Sequence, residues 1–569
     1  VQSLNEKIER SLFKIFLSIG GVLLLFVAGG YFSVRAFHAW QLRRLLAEAY
    51  ALVDRDDYKS ASAAAQRMLQ INPESADANR VLARSAEGSG ARAAVEFRRR
   101  VADLTHNNNA SDLVAWAKCA LQFNDAASAE RALDLVSEKM RKTADYHALR
   151  GDVALLRRDL TTYEQELTQA LKIDPGNKAL RLSLATYHAA SSDPATHERG
   201  VRDLQVLAQD EATRRDALRR LIEDALRRRE WGIALENARQ LEAMVDRTFS
   251  DRLLFLTTLK ATNDAAFSAV FAEMQKEATD DAAKIAALVS WMNREGMNAQ
   301  AVAWIKALPP TLLTQKTLPL AVADAFVAAR EWELLRKFLI GAKWGPADYM
   351  RSALLARALR ELNQPEDSAQ QWAEAMQKVS ARADQALLLA ENAQKWGWEK
   401  ESLDLLWLAA RDPNKADRTL GTLYRFFAAK NDTQELYRVL LHLSELHPND
   451  RPTLNNRAQI SLLLNLDAER GHRLAREVHE QEPRNIHYAS TYAFSLYLRD
   501  EPKKAVQLLA SFPDADLRQP SIAAYFGIAL AANGEYARAA EFLALGAKAN
   551  LLPEERALLE KARSATAQR

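Results

Sequence analysis

The side chains best suited to binding a metal come closest together in HAASSDPATH, where His188, Asp193 and His197 fall within ten residues. A closed zinc site takes four ligands. No fourth completes a recognised pattern here, so the expected role is solvated polarity in a loop, with SSDPATHERG (191–200) inserted between helices. The single cysteine, Cys119 in LVAWAKCALQF, falls within a helical apolar pattern. It reads as a small core residue rather than a nucleophile. One cysteine also excludes an internal disulfide framework and any multi-cysteine metal site. The stretch RRDALRRLIEDALRRREW (214–231) carries seven arginines, but five acids share the window from Glu211 to Glu230. Glu223–Arg227 and Asp224–Arg228 have the favourable i,i+4 order, which predicts an ion-paired helix face. Nucleic-acid binding would need a one-sided basic face or interleaved aromatics. No phosphate-binding loop, nucleophile elbow, zincin helix or dinucleotide fingerprint occurs. The expectation is a chain that is no enzyme, with no metal, no cofactor, no nucleic acid and no small-molecule substrate.

The elements that would have to position any such residue are helices. Of 569 residues, 48% are apolar and 27% charged, which describes a folded chain. Glycine (19) and proline (16) are scarce, and the helix formers Ala, Leu, Glu, Arg, Lys and Gln dominate. Net charge is only +3, from 77 basic and 74 acidic side chains, so no polyanionic partner is implied. The length is too great for one ordinary core, and the expected class is all-α.

One phrase recurs: ANGEYARAAEFL (532–543) has blurred copies at 54–69, 227–241, 328–339 and 395–406, each with an acid or glycine before an aromatic. The aromatics Tyr58, Trp231, Trp332, Trp398 and Tyr536 are expected to begin second helices and plug the gap beside a hairpin turn. Prolines keep the same time. Pro73 and Pro175 stand 102 residues apart, three times 34, and Pro413, Pro448 and Pro483 follow at steps of 35. Such a period marks helical-hairpin repeats. Gly151, Ala154, Tyr163, Leu167 and Ala170 lead to Pro175. Phe526, Gly527, Leu530, Gly534, Tyr536, Ala539, Leu543 and Gly546 follow the same order near the C-terminus. Ala493 and Ala505 sit 34 residues before Gly527 and Ala539.

In these residues the chain resembles the tetratricopeptide repeat (TPR) family. The resemblance implies small first-helix residues (Gly151, Ala493, Gly527) facing small second-helix residues (Ala505, Ala539), a further small position at Ala170, and a proline stopping the second helix. It is good over 41–75, 145–176 and 385–562 and degraded between. The expected layout is TPR-like repeats at 41–176, divergent helical repeats at 177–345, and TPR repeats with a polar capping helix at 346–569. About fourteen to fifteen hairpins fit a period of about 34. KALPPTLLTQKTLPL (306–320) is the clearest break and is expected to separate two solenoid halves. The family's concave groove would bind a protein or peptide, and repeat position points Arg425, Phe494 and Tyr497 into it. The Lys/Asn set with which some members clamp a C-terminal carboxylate is not reproduced at these positions.

Ahead of the repeats, after an N-terminal tail (1–11), IFLSIGGVLLLFVAGGYFSV (15–34) runs twenty residues without a charge. At about 1.5 Å per residue this spans about 30 Å, a bilayer's hydrocarbon thickness. A single-pass anchor at 12–36 is expected, with Tyr31, Phe32 and Trp40 at the interfaces. Lys7, Arg10 and Lys14 before it balance Arg35, Arg43 and Arg44 after it, so charge does not orient it. We expect a bacterial inner-membrane protein with its repeats on the periplasmic side. The function expected is a membrane-tethered scaffold, an assembly factor for an envelope, secretion or polysaccharide-export complex. The alternative is a regulatory adaptor presenting a membrane enzyme to a protease or modifying factor.

Overall fold

The computed structural model describes residues 37, 38, 40–315 and 318–568. The expected span at 15–34 lies outside them. Among the described residues there is no strand, and no helix is long and apolar enough to cross a membrane. Helices pair in sequence order, beginning with 40–53 against Tyr58–Ile71 and ending with Pro520–Ala532 against Tyr536–Gly546. Among the described residues this makes fifteen hairpins in a TPR-like arrangement, followed by the helix Pro553–Ala567.

The recurring phrase is a turn signal. Asp56, Arg229, Arg330 and Gly534 all have positive φ, two residues ahead of Tyr58, Trp231, Trp332 and Tyr536. The next residue caps or precedes the second helix, whose first residue is that aromatic. Gly397 (φ 77°) does the same one residue before Trp398, which is itself the N-cap of Glu399–Ala409. A left-handed residue reverses the chain in the space of two or three positions. Side-chain caps then fix the next start, as where Asp159 accepts from the Thr162 amide at 3.1 Å. Pro73, Pro175, Pro448 and Pro483 follow second helices as expected, but Pro413 is instead the first residue of Pro413–Lys430. At a helix start its missing N–H costs nothing.

The aromatics do not all plug gaps. Trp398 is 6% exposed, whereas Trp231 is 41% exposed. Tyr58 leans on Gly88 so closely that a Cβ there would lie 2.2 Å from the ring. Arg357 stands between Trp332 and Trp396, 5.3 and 5.0 Å from the ring centres, and Arg360 covers Trp398 at 3.5 Å.

Ala170, Ala493, Ala505 and Ala539 are buried at helix contacts, and Tyr163 and Gly151 pack in theirs. The glycines are not equivalent. A Cβ at Gly527 would sit 2.9 Å from the Leu543 amide nitrogen, and one at Gly546 2.6 Å from Ala524 Cα. At Gly151 the nearest atoms are 3.6 Å away, so a methyl group would fit. Two further stretches depart from expectation. Residues 194–200 are helical, within Pro194–Leu207 capped by Asp193, and Gly200 brings that helix against Ala189. The chain divides into two compact units at Glu277 and Ala278. The 306–320 stretch, with a one-turn helix Pro310–Leu313, lies inside the second.

Candidate functional site

The residues singled out for metal chemistry are not gathered. His188 Nε2 pairs with Glu164 at 2.9 Å and His197 Nε2 with Asp224 at 2.8 Å, while Asp193 caps a helix. Cys119 is 3% exposed, and burial, together with nearby Glu87, pushes its thiol up to about 12. At that value no thiolate is present at neutral pH. The arginine-rich helix Arg214–Arg228 is ion-paired along its own face, with Arg228 on Asp224 as expected and Glu223 paired with Arg220, and two of its arginines also reach the following hairpin. Arg219 Nε donates to buried Asp251 at 2.6 Å, and Arg215 reaches Asp246. The same register recurs earlier, where Arg80 forks onto Asp112 at 3.0 and 2.7 Å.

The most developed surface is in the second unit, where the first helices Arg451–Leu464, Ile486–Leu498 and Pro520–Ala532 succeed one another. Asn455, Asn456 and Gln459, from the first of these, line a polar cleft of about 360 Å³ with Tyr488, Thr491 and Tyr525. Asn455 is 5% exposed, and its Oδ1 finds no hydrogen-bond partner among the described residues. Leaving such an acceptor unmatched costs about 1–3 kcal/mol. The signal for these amides is NNRAQ (455–459), three amide side chains within five helical positions. Sequence reasoning missed them because it looked for aromatics.

The aromatics themselves are covered. Phe494 is 2% exposed; its ring lies 5.0 Å from that of Tyr525 and 6.2 Å from that of Tyr497. With Ala458 and Leu462 they form one apolar cluster, and Leu558 of the last helix packs against it. The expectation that Phe494 and Tyr497 stand open in a groove is therefore corrected: the chain's own C-terminal segment occupies that position. Arg425 is exposed on Pro413–Lys430, bonded to Thr422 Oγ1 at 3.2 Å, and is not brought together with the other two.

Glu555 secures the last helix. It is 8% exposed and accepts from Gln459 Nε2 at 2.8 Å, from the Leu552 amide at 2.8 Å and from the Tyr525 hydroxyl. Burial and then the Glu555 carboxylate push the Tyr525 phenol far above its usual range, which keeps it a donor. Next to it Glu554 accepts from Thr433 Oγ1 at 2.5 Å.

No family model matches the chain, and no curated protein matches it. Among solved structures, a crystal structure of the APC/C hetero-tetramer Cut9–Hcn1 aligns with 93% of this chain and 98% of that one. The identity is 14% and the TM-score 0.30. The TPR-like reading accordingly stands on the hairpins and their small-residue contacts.

Proposed function

We propose that this chain is a membrane-tethered TPR-like scaffold that binds protein partners, held to the bilayer by residues 15–34. The observation that carries the binding role is the cleft at Asn455, Asn456 and Gln459, an amide-lined recess with an unmatched buried acceptor. Amides and hydroxyls of this kind match the N–H and C=O groups of a polypeptide. The tether would raise local concentration near membrane-bound partners without any new contact. An assembly factor for an envelope, secretion or polysaccharide-export complex fits this design, with the repeats on the extracytoplasmic side.

The test places a photoreactive side chain at Tyr488 of the full chain in its native membrane. A discrete crosslinked protein is expected, lost when Asn455→Leu is added while the thermal melt stays put. Crosslinking that ignores Asn455→Leu would overturn the assignment. A topology reporter at the C-terminus checks the side. A cytoplasmic signal would favour the adaptor that presents a membrane enzyme to a protease or modifying factor.

A further inference from the structure

A helix that merely caps a repeat array needs to cover only the last apolar face. The segment 551–567 does more. Leu559 and Ala562 cover the last hairpin, packing in the cluster that contains Phe526 and Leu543. Leu558 packs against the Phe494 cluster, and Glu555 bonds Gln459 in the hairpin before that. Leu552 packs against the cluster of Leu420, Leu423 and Leu436, and Glu554 bonds Thr433 one hairpin earlier still. One short segment thus touches four successive hairpins, from 413–446 to 520–546, which is how a bound ligand lies along a groove.

Its fixings are also those of a ligand. Caps are held by apolar cover, yet the centre of this contact is a buried carboxylate with three donors and no cationic partner among the described residues. Two of those donors, Gln459 and Tyr525, also line the amide cleft. Whatever sits in the cleft and whatever sits under Glu555 therefore draw on the same two side chains.

We propose that the segment 551–567 is a displaceable intramolecular occupant of a protein-binding groove that adjoins the amide cleft and shares Gln459 and Tyr525 with it. The partner it yields to is an amphipathic helix of the same pattern: an apolar residue just ahead of the helix, a glutamate four positions on in its first turn, and leucines three and four beyond that. In this chain the pattern is Leu551, Glu555, Leu558 and Leu559. The proposal rests on reading the groove as a protein-binding surface. The identity of the exchange partner follows from the cost of opening. Release strips cover from Leu543 and Phe526 and strands the Tyr525 hydroxyl, so only a helix that restores both the apolar contact and the carboxylate can replace it. An intramolecular occupant lowers apparent partner affinity by the fraction of time the groove is open.

The test needs no natural partner, so its outcome is separate from capture at the membrane. A labelled synthetic peptide of residues 549–568 is titrated against the full chain, wild type and Glu555→Ala/Leu559→Ala. The released variant is expected to bind at least about 10-fold tighter than wild type. The peptide with its own Glu555→Ala change should lose that binding. Equal affinities, or binding that ignores the peptide's glutamate, would overturn the proposal. Should the variant fail to fold, hydrogen exchange on the wild-type chain decides. Amides of 553–567 are expected to open before those of 520–546, and faster with added peptide. Opening of both segments only together would make the helix a permanent cap.

Discussion

A methyl group added at Gly527 meets the Leu543 backbone at 2.9 Å, and backbone cannot swing aside as a side-chain tip can. Gly527→Ala is therefore expected to cost about 1–3 kcal/mol through overpacking. Gly151→Ala, with 3.6 Å of clearance, should be neutral or gain up to about 1 kcal/mol from helix propensity. Urea unfolding of the two variants checks the pair, with proteolysis of 520–546 showing whether the damage at Gly527 is local. The two residues look alike in the repeat pattern, and only the partner's distance tells them apart. Phe494 teaches the same lesson in reverse. Its place on a first helix was legible, but not Leu558 coming back over it from beyond the last hairpin. Phe494→Ala should accordingly lower stability by about 3–5 kcal/mol, as a buried ring does. A melt unchanged from wild type would return this ring to the open groove.

Helices and their pairing were the most legible level, because a 34-residue period of small residues and turn signals acts locally. The five phrases with an acid or glycine before an aromatic each mark a left-handed turn, and each was found from sequence. Contacts between successive hairpins were less visible, since they join residues about one repeat apart whose types are ordinary surface charges. Arg80–Asp112 and Arg219–Asp251 are such contacts, and in the divergent stretch the second ties neighbours together in place of signature residues. Burial alone would raise the Asp251 carboxyl, but the bonds from Arg219 and Thr248 outweigh it and hold the group below its usual range. Stability from a depressed carboxylate is present above the unfolded value of about 3.9 and is lost as pH falls through the lower folded value. Asp251→Asn is therefore expected to cost about 2–3 kcal/mol at neutral pH. The gap from wild type should shrink as pH drops below about 4, as urea titrations at several pH values would show.

At the scale of the whole chain, composition and period announced an all-α array, and the hairpins supply it from residue 40 to Gly546. The proline-rich stretch at 306–320 misled because proline and a one-turn helix interrupt local regularity without interrupting packing, whereas the units part at Glu277 with no compositional mark. The amide cleft was only partly legible for a related reason: NNRAQ marks one wall, but the cleft is assembled from three hairpins and the other two carry no such cluster. Membrane attachment is a different kind of inference, from hydropathy alone. Mean hydropathy over the chain is −0.29, and no described helix is apolar enough to span. The proposed tether is therefore residues 15–34, where twenty uncharged positions match the hydrocarbon thickness. The full chain is expected to stay with membranes through alkaline carbonate washing. A chain starting at residue 37 should appear in the wash and keep the same helical circular dichroism and melting temperature as the detergent-solubilised full chain. Carbonate release of the full chain would remove the tether, and with it the local-concentration argument. A lowered melt in the shortened chain would instead mean that the first residues pack against the repeats, which an isolated spanning helix does not do.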